Sequence, residues 1–405
     1  MRVLILSQYF WPETFRITEV AIALRDAGCE VSVLTGQPNY PDGEVFEGYS
    51  SWSLLTQKYQ GLEVFRVPIV PRGRRSALRL ILNYLSFVVS AGILGSWVLR
   101  HRPFDAILVF APSPILQVIP AIWLARLKGA TLLTWVQDLW PESLSATGFV
   151  KHDALLGSVA KVVRWIYRKN DCLLVQSEAF VGPVRLMSGG TPVRYHPNPG
   201  DLPSESAENL HSPVEFGTGF NVVFTGNLGT VQALDTVLKA AMLLRMERDI
   251  SFVLVGSGSR SDWLESEIAR LGLKNVRLTG RFAPSAMPAI MERASALLVS
   301  LVRSPIMSQT VPSKVQAYLA AGKPIIAALD GEGGRIVKAA GAGVTCPAED
   351  AEALAVAVKQ LRDMPVQRRE QMGANALNYY QENFEPRMLA KRLLQVLTDT
   401  KRRQR

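Results

Sequence analysis

The chain has only three cysteines, Cys29, Cys172 and Cys346, scattered without metal-ligand spacing. That excludes a disulfide framework and reads as small buried apolar residues in a reducing compartment. Four histidines, equally dispersed, build no zinc constellation, so no metal is expected. A leader-type apolar region is missing too. After Arg2 the first apolar run, 3–6, stops at Ser7-Gln8 and reads as a buried strand, which predicts a cytoplasmic protein. Neither a nucleic-acid recognition motif nor a basic–aromatic ladder is present, so no nucleic-acid partner is expected. What is there is 405 residues, 48% hydrophobic and 20% charged, with a net charge of +10. Such a length and composition predict a globular chain of two domains with large cores. The positive charge points to an anionic membrane surface or a phosphate-bearing substrate.

Apolar strand patterns alternate with helical ones in both halves, the mark of parallel βαβ units. In the first half strands are predicted at 3–6, 30–34, 106–110, 131–136 and 172–176, and helices at 18–27, 116–127 and 154–169. Two long loops, 8–15 (QYFWPETF) and 37–49 (QPNYPDGEVFEGY), follow strand ends, where open α/β sheets bind ligands. Residues 197–219 are rich in Pro, Gly, Ser and acidic residues without periodicity and read as a linker. In the second half strands are predicted at 221–225, 251–255, 276–279, 296–299, 324–328 and 343–345. Helices are predicted at 233–246, 263–271, 288–293, 313–321 and 351–361, then two more within 366–401, broken near Glu385-Pro386. The fold class is α/β, with two doubly wound Rossmann-like domains, 1–196 and 220–384, facing across a cleft.

Residues 78–99 (LRLILNYLSFVVSAGILGSWVL) approach membrane-spanning length between Arg72, Arg74, Arg75, Arg79 and Arg100, Arg102. Asn83, Ser86, Ser90 and Ser96 interrupt the run, and a span would separate the first two βα units from the rest. A helix packed on the sheet, its basic and partly apolar outer face resting on a membrane, fits better.

The stretch 311–335 (VPSKVQAYLAAGKPIIAALDGEGGR) gathers the most chemistry. Ser313 is placed to cap a helix whose apolar stripe is Val315, Tyr318 and Leu319, closed by Gly322. A short strand then empties into a glycine turn at Asp330–Gly334, with the next helix expected near Arg335. Bare N–H groups beside Lys314 suit a phosphorylated ligand, although an ordinary αβ turn fits the glycines alone. Residues 224–229 (FTGNLG) follow a strand and precede a helix, another setting for phosphate. Residues 253–258 (VLVGSG) open like a dinucleotide fingerprint. Ser261 replaces the third glycine, however, and the following strand ends in Gly280-Arg281 rather than an acid, which favours a mononucleotide over a nicotinamide cofactor. Arg281 reads as a base or phosphate contact, or equally as a solvated surface arginine. In WVQDLWPE (135–142), Asp138 and Glu142 suit acid, base or hydroxyl-acceptor roles, or merely a turn cap and a helix start.

In this order the PE loop, GQPNYPDG, QDLWPES, PNP, TGNLG, VGSGS and PSKVQAYLAAGKPIIAALDGEGG resemble bacterial glycosyltransferase family 4. The closer resemblance is to its fucosaminyltransferase-like branch in O-antigen, capsule and exopolysaccharide assembly, and it runs from Met1 to about Phe384. It implies a GT-B fold and a metal-independent, retaining transfer, with a nucleotide sugar as substrate and no cofactor. It further implies an N-terminal domain for the acceptor, a C-terminal domain for the donor, and a last helix, 385–402, crossing back to the first domain. On the donor side this suggests Gly226, Asn227, Leu228, Gly229, Gly256, Arg281, Ser313, Lys314, Gln316, Glu332, Gly333 and Gly334. On the acceptor side it suggests Glu13, Asn39, Tyr40 and Glu142, with Asp138 and Lys314 as the catalytic pair. The implied partners are a UDP-type sugar donor, a polyprenyl-linked glycan acceptor and the inner face of a membrane.

This sequence departs from the family pattern in two places. The family's two glutamates, seven residues apart before the AxGxP turn, fall on Gln309 and Ala317, so Gln316 or Glu332 is expected to meet the ribose. The family's Arg and Lys for the diphosphate fall on Asn227 and Gln232, so Lys314, Arg281, Arg303 or the 333–334 amides must supply the positive charge. Lys314 is the leading candidate. A sugar-nucleotide 2-epimerase and a non-catalytic binding subunit are the competing readings.

Overall fold

Most of the apolar runs become strands in one of two sheets. The computed structural model describes all residues except 74, 75, 147–152, 201–211, 404 and 405. Part of the expected linker and two of the flanking arginines, Arg74 and Arg75, therefore lie outside the described residues. The chain divides into two units, Met1–Pro199 with Pro386–Arg405, and Gly200–Glu385.

In the first unit the strands are β1 (Arg2–Leu6), β2 (Glu30–Gly36), β3 (Leu55–Tyr59), β4 (Leu62–Val67), β5 (Ala106–Ala111), β6 (Thr131–Val136), β7 (Cys172–Val175) and β8 (Val193–Tyr195). Their order is β3-β4-β2-β1-β5-β6-β7-β8, and only β3 runs antiparallel to its neighbour. Central strands β5 and β6 are buried at every position, as a sheet covered on both faces requires. The hairpin β3–β4 and the short β8 were not expected. LTQKY in β3 alternates half-buried with exposed positions, and pairing with β4, which shows itself only in the fold, makes it a strand.

The helix Ala77–Ser90 continues through a π-type stretch, Ala91–Gly95, to Val98. Its buried contacts, Asn83, Phe87, Ala91 and Gly95, recur every four residues. An α-helix rotates such a stripe away by about 40° per step, and the wider π turn brings it back over the sheet. A Cβ on Gly95 would stand 2.7 Å from Leu34, so helix and β2 are in direct contact. On the opposite face of the sheet, Pro386–Arg403 lays Ala390, Leu393 and Leu397 against Ile17, Val20 and Leu24 of the helix Ile17–Asp26.

The second unit has β9 (Phe220–Thr225), β10 (Ile250–Val255), β11 (Val276–Gly280), β12 (Ala296–Ser300), β13 (Ile325–Ala328) and β14 (Gly343–Cys346), all parallel, in the order β11-β10-β9-β12-β13-β14. Both units are Rossmann-like. Strand order reverses between β1 and β5 in the first unit, and between β9 and β12 in the second. Crevices for ligands form at the carboxyl ends of strands at such points.

Candidate active site

At the switch point of the second unit the loop after β9 rests on the loop after β10. Gly226 N donates to Val255 O (2.8 Å), Leu228 N to Ser257 O (3.0 Å) and Arg260 N to Leu228 O (2.9 Å). Gly256 permits this approach, with φ +147° and a would-be Cβ only 1.8 Å from Gly226 O. The amide of Gly256 is itself spent on Gly280 O (2.8 Å). Of the amides expected to cradle phosphate, those of Gly226, Leu228 and Gly256 therefore serve the protein, because they hold the two loops together. Asn227 stands exposed at the tip. The helix predicted from 233 starts at Leu234, after a 3-10 turn, Thr230–Gln232, and Ala233 at φ +48°.

The helix Ser313–Ala320 follows β12 and is pinned by fully buried Val315, Tyr318 and Leu319. The Tyr318 hydroxyl accepts from Thr225 N at 2.9 Å, tying this helix to the end of β9. Pro312, in extended conformation, occupies the cap position, so Ser313 is already helical. It is exposed and makes no capping bond, which corrects its expected role. The same geometry carries Lys314 across the first loop. Its Nζ lies 2.6 Å from Gln232 Oε1 and 3.8 Å from the Phe224 ring centroid, and its Cε lies 3.0 Å from where a Gly226 Cβ would stand. No carboxylate pairs with it among the described residues. Burial in this seat pulls its pKa down to about 7.

Gln316, two residues further along and hence on another helix face, is buried against Gly200 and does not join Lys314. The next helix, Glu332–Ala339, starts three residues earlier than expected, because Gly331 at φ +77° makes the turn alone. Gly333 and Gly334 lie in its first turn, whose leading N–H groups have no intrahelical acceptor. Glu332 is not free for a ribose. Its buried carboxylate takes Arg335 Nε at 2.8 Å and a second Arg335 nitrogen at 2.6 Å. Arg303 is likewise engaged, with Asp330 at 3.3 Å and Ala348 O at 2.8 Å. Arg281 stands exposed just past β11.

In the first unit Asp138 follows β6, and its Oδ2 accepts from Ser113 N (3.0 Å) and Ser113 Oγ (2.8 Å) in the loop after β5. Trp140 Nε1 donates to the same hydroxyl at 3.2 Å. Ser113 had no motif to announce it, since it meets Asp138 only through the pairing of β5 with β6. Glu142 is exposed at the start of the short helix Glu142–Ala146. Glu13, by contrast, is buried and works as a structural anchor. Its carboxylate accepts from the backbone N–H groups of Asn39 (2.9 Å), Tyr40 (2.8 Å) and Phe10 (3.2 Å). Burial pushes its pKa up to about 7, against the opposing pull of those three donors and of Arg66. Asn39 is fully buried too, donating to Gln37 O and accepting from Arg72 N, so it shapes the loop rather than meeting a ligand. Tyr40 remains half-buried, its ring 5.1 Å from Phe15.

Replacing Glu13 with alanine strands three buried N–H groups, each costing about 1–3 kcal/mol. We expect a loss of about 3–5 kcal/mol in urea denaturation, against about 1–2 kcal/mol for Glu13→Gln, whose carbonyl still serves Asn39 and Tyr40.

Residues 14–200 match the family described as glycosyl transferase 4-like domain, and residues 207–379 match glycosyl transferases group 1. The chain is 25% identical over 391 residues to WcaI of Escherichia coli K12, a protein named as a colanic acid biosynthesis glycosyl transferase. That match covers 90% of this chain and 93% of the relative. Among solved structures, sucrose-phosphate synthase from Thermosynechococcus elongatus superposes with a TM-score of 0.71 at 17% identity, covering 98% of both chains. Anabaena Alr3699/HepE in complex with UDP gives 0.67 at 15% identity, covering 98% of this chain and all of that one.

Proposed function

Because the chain is a glycosyltransferase of the GT-B fold, we propose that it transfers a sugar from a UDP-type donor, held by its second unit, to a lipid-linked glycan acceptor, held by its first. The observation that carries this reading is the position of Lys314. Its amine bonds to Gln232, one of the two residues that stand where the resembling family has its diphosphate-binding Arg and Lys. Charge lost from the loop in sequence is thus returned to it in space. UDP in the HepE complex and the WcaI relationship support the donor and the surface-polysaccharide setting. The order of GQPNYPDG, QDLWPES and PSKVQAYLAAGKP supports a fucosaminyltransferase-like branch and an N-acetyl-fucosamine type of donor.

In this mechanism the bond between the anomeric carbon and the diphosphate oxygen breaks, and its electron pair leaves with UDP. Lys314 and the leading amides of the helix Glu332–Ala339 offset the charge that builds there, without a metal. The acceptor hydroxyl bonds to the anomeric carbon on the same face, and its proton passes to the departing phosphate oxygen. Asp138, fixed by Ser113, orients the acceptor hydroxyl.

The helix that begins at Ala77 suits delivery of such an acceptor. Over Ala77–Val98 it is long and apolar enough to cross a membrane, yet only 17% of its most apolar window is buried. Leu78, Ile81, Leu85, Val89, Ile93 and Trp97 face outward, with Trp123 on the helix Val118–Lys128 and Trp165 on the helix Asp153–Tyr167 also exposed. Arg79, Arg100 and Arg126 accompany this surface, which suits an anionic leaflet at the cytoplasmic side.

The test incubates purified protein with UDP-sugars, with and without membrane extract. UDP release that depends on the extract, and that falls when Ile81 and Leu85 are replaced by glutamate, is the expected result. Epimer formed without acceptor would establish the 2-epimerase instead, and binding without turnover would establish a non-catalytic subunit.

A further inference from the structure

After β4 the first unit carries an arginine held on an aromatic platform. The loops 37–43 and 70–73 meet at two glycines, where Gly73 N donates to Gly43 O at 2.8 Å. A Cβ on Gly43 would lie 2.3 Å from Gly73 O, and both residues have positive φ, +79° and +66°. Only glycine permits this contact, and it fixes the residue between the loops, Arg72. A buried network locks the same place from beneath. Arg72 N donates to Asn39 Oδ1 (3.1 Å), Asn83 Nδ2 donates to Val70 O (2.7 Å), and Gln8 Nε2 donates to Asn83 Oδ1 (2.7 Å).

The Arg72 guanidinium stands 5.2 Å above the Tyr40 ring and has no carboxylate partner among the described residues. Glu13, which receives the amides of Asn39 and Tyr40 on the same loop, is already saturated by three N–H donors. Tyr9 packs 5.6 Å from Tyr40 and stacks at 4.8 Å on Phe15. Its hydroxyl lies against that of Tyr84 and is otherwise buried without a partner. Tyr84 directly follows Asn83, whose side chain donates to Val70 O at 2.7 Å and to Asn39 Oδ1 at 3.3 Å, so it stands one residue from the network that fixes the arginine. The exposed apolar face of Leu78, Ile81 and Leu82 begins one helical turn away.

We propose that Arg72 and Tyr84 form a binding site for the phosphate of a prenyl-type acceptor lipid, whose chain runs along the outer face of the helix Ala77–Ser90. This rests on the glycosyl-transfer reading and names the acceptor's anchoring group. A planar guanidinium held by a rigid loop, with no carboxylate partner among the described residues, matches phosphate oxygens two at a time. The tyrosine hydroxyl adds a directed donor, and the apolar helix face accepts the chain that a soluble sugar phosphate lacks. Asp138 is then left for the sugar hydroxyl.

Isothermal titration calorimetry on the full chain, with UDP at saturation to occupy the donor side, tests this with farnesyl diphosphate, inorganic pyrophosphate and farnesol. Farnesyl diphosphate is expected to bind, with affinity reduced about tenfold or more in Arg72→Ala. A smaller loss of about threefold is expected in Arg72→Lys and Tyr84→Phe, which keep the charge or the ring and guard against a folding defect. UDP affinity should be unchanged in all three variants. Equal affinity in Arg72→Ala and wild type, or farnesol binding as tightly as its diphosphate, would overturn the proposal. Pyrophosphate matching farnesyl diphosphate would also overturn it, assigning the site to a soluble phosphate. Failure of UDP to bind the wild type would instead strike at the donor reading.

Discussion

Replacing Lys314 with alanine is expected to lower turnover by about 10²–10³-fold while leaving the protein folded, as loss of a pre-aimed charge at a developing oxyanion does. The helix is pinned by Val315, Tyr318 and Leu319, none of which depends on the lysine, so UDP-release kinetics can be compared at equal folded fractions. A pH signature separates this role from simple packing. Burial holds the Lys314 pKa at about 7 in the free protein. Above that pH the amine is neutral, and an arriving diphosphate must draw a proton from solvent to restore the charge. UDP affinity should therefore be flat below about pH 7 and fall by up to about tenfold per pH unit above it, with uptake approaching one proton per UDP. Calorimetry in buffers of different ionisation enthalpy reads that proton directly. In Lys314→Ala both the slope and the uptake should disappear. Unchanged turnover and an unchanged slope would remove the lysine from the mechanism.

The proximity behind this prediction joins two residues 82 positions apart, and no local pattern in the chain discloses it. Sequence did show the α/β class and every strand of the second sheet, whose four inner strands are covered on both faces and written as largely apolar runs. It also showed the break between Val366–Asn383 and Pro386–Arg403, where proline ends one helix and starts the next. Edge elements were less legible. The hairpin turn at Gln60-Gly61 has the residues of a turn, but β3 beside it carries Gln and Lys and becomes a strand through its partner.

Polar site residues were legible as candidates and illegible as roles. Glu13, Asn39 and Glu332 all stand in motifs that suggest ligand contact, yet each is buried and spends its side chain on the protein. A carboxylate is as useful for gathering backbone N–H groups as for binding a sugar, and only the fold says which N–H groups are near. Arg72, held by two glycines from different loops, shows the converse. In sequence it is one of several arginines before an apolar helix, whereas among the described residues it alone sits on the Tyr40 ring.

The same logic gives Gly256→Ala the largest expected structural effect. The glycine resembles the opening of a dinucleotide fingerprint, but its amide points to Gly280 O and its bare Cα faces Gly226 O. Its work is to let the loops after β9 and β10 touch, and that contact supports the floor over which Lys314 lies. An alanine there would have to hold φ near +147°, a strain of about 1–3 kcal/mol, and would place its Cβ 1.8 Å from a backbone oxygen that cannot turn aside. The loops must separate, so stability should fall by at least about 3 kcal/mol in denaturation, and the thermal shift given by UDP should vanish. Gly272→Ala is the matched control. It also has positive φ, +61°, but a Cβ there meets nothing within 4 Å, so it should cost only about 1–2 kcal/mol and preserve the UDP shift. If Gly256→Ala retained that shift, the seating of one loop on the other would not be what holds Lys314 in place, and the lysine would have to be positioned by Tyr318 and its hydrogen bond to Thr225 alone.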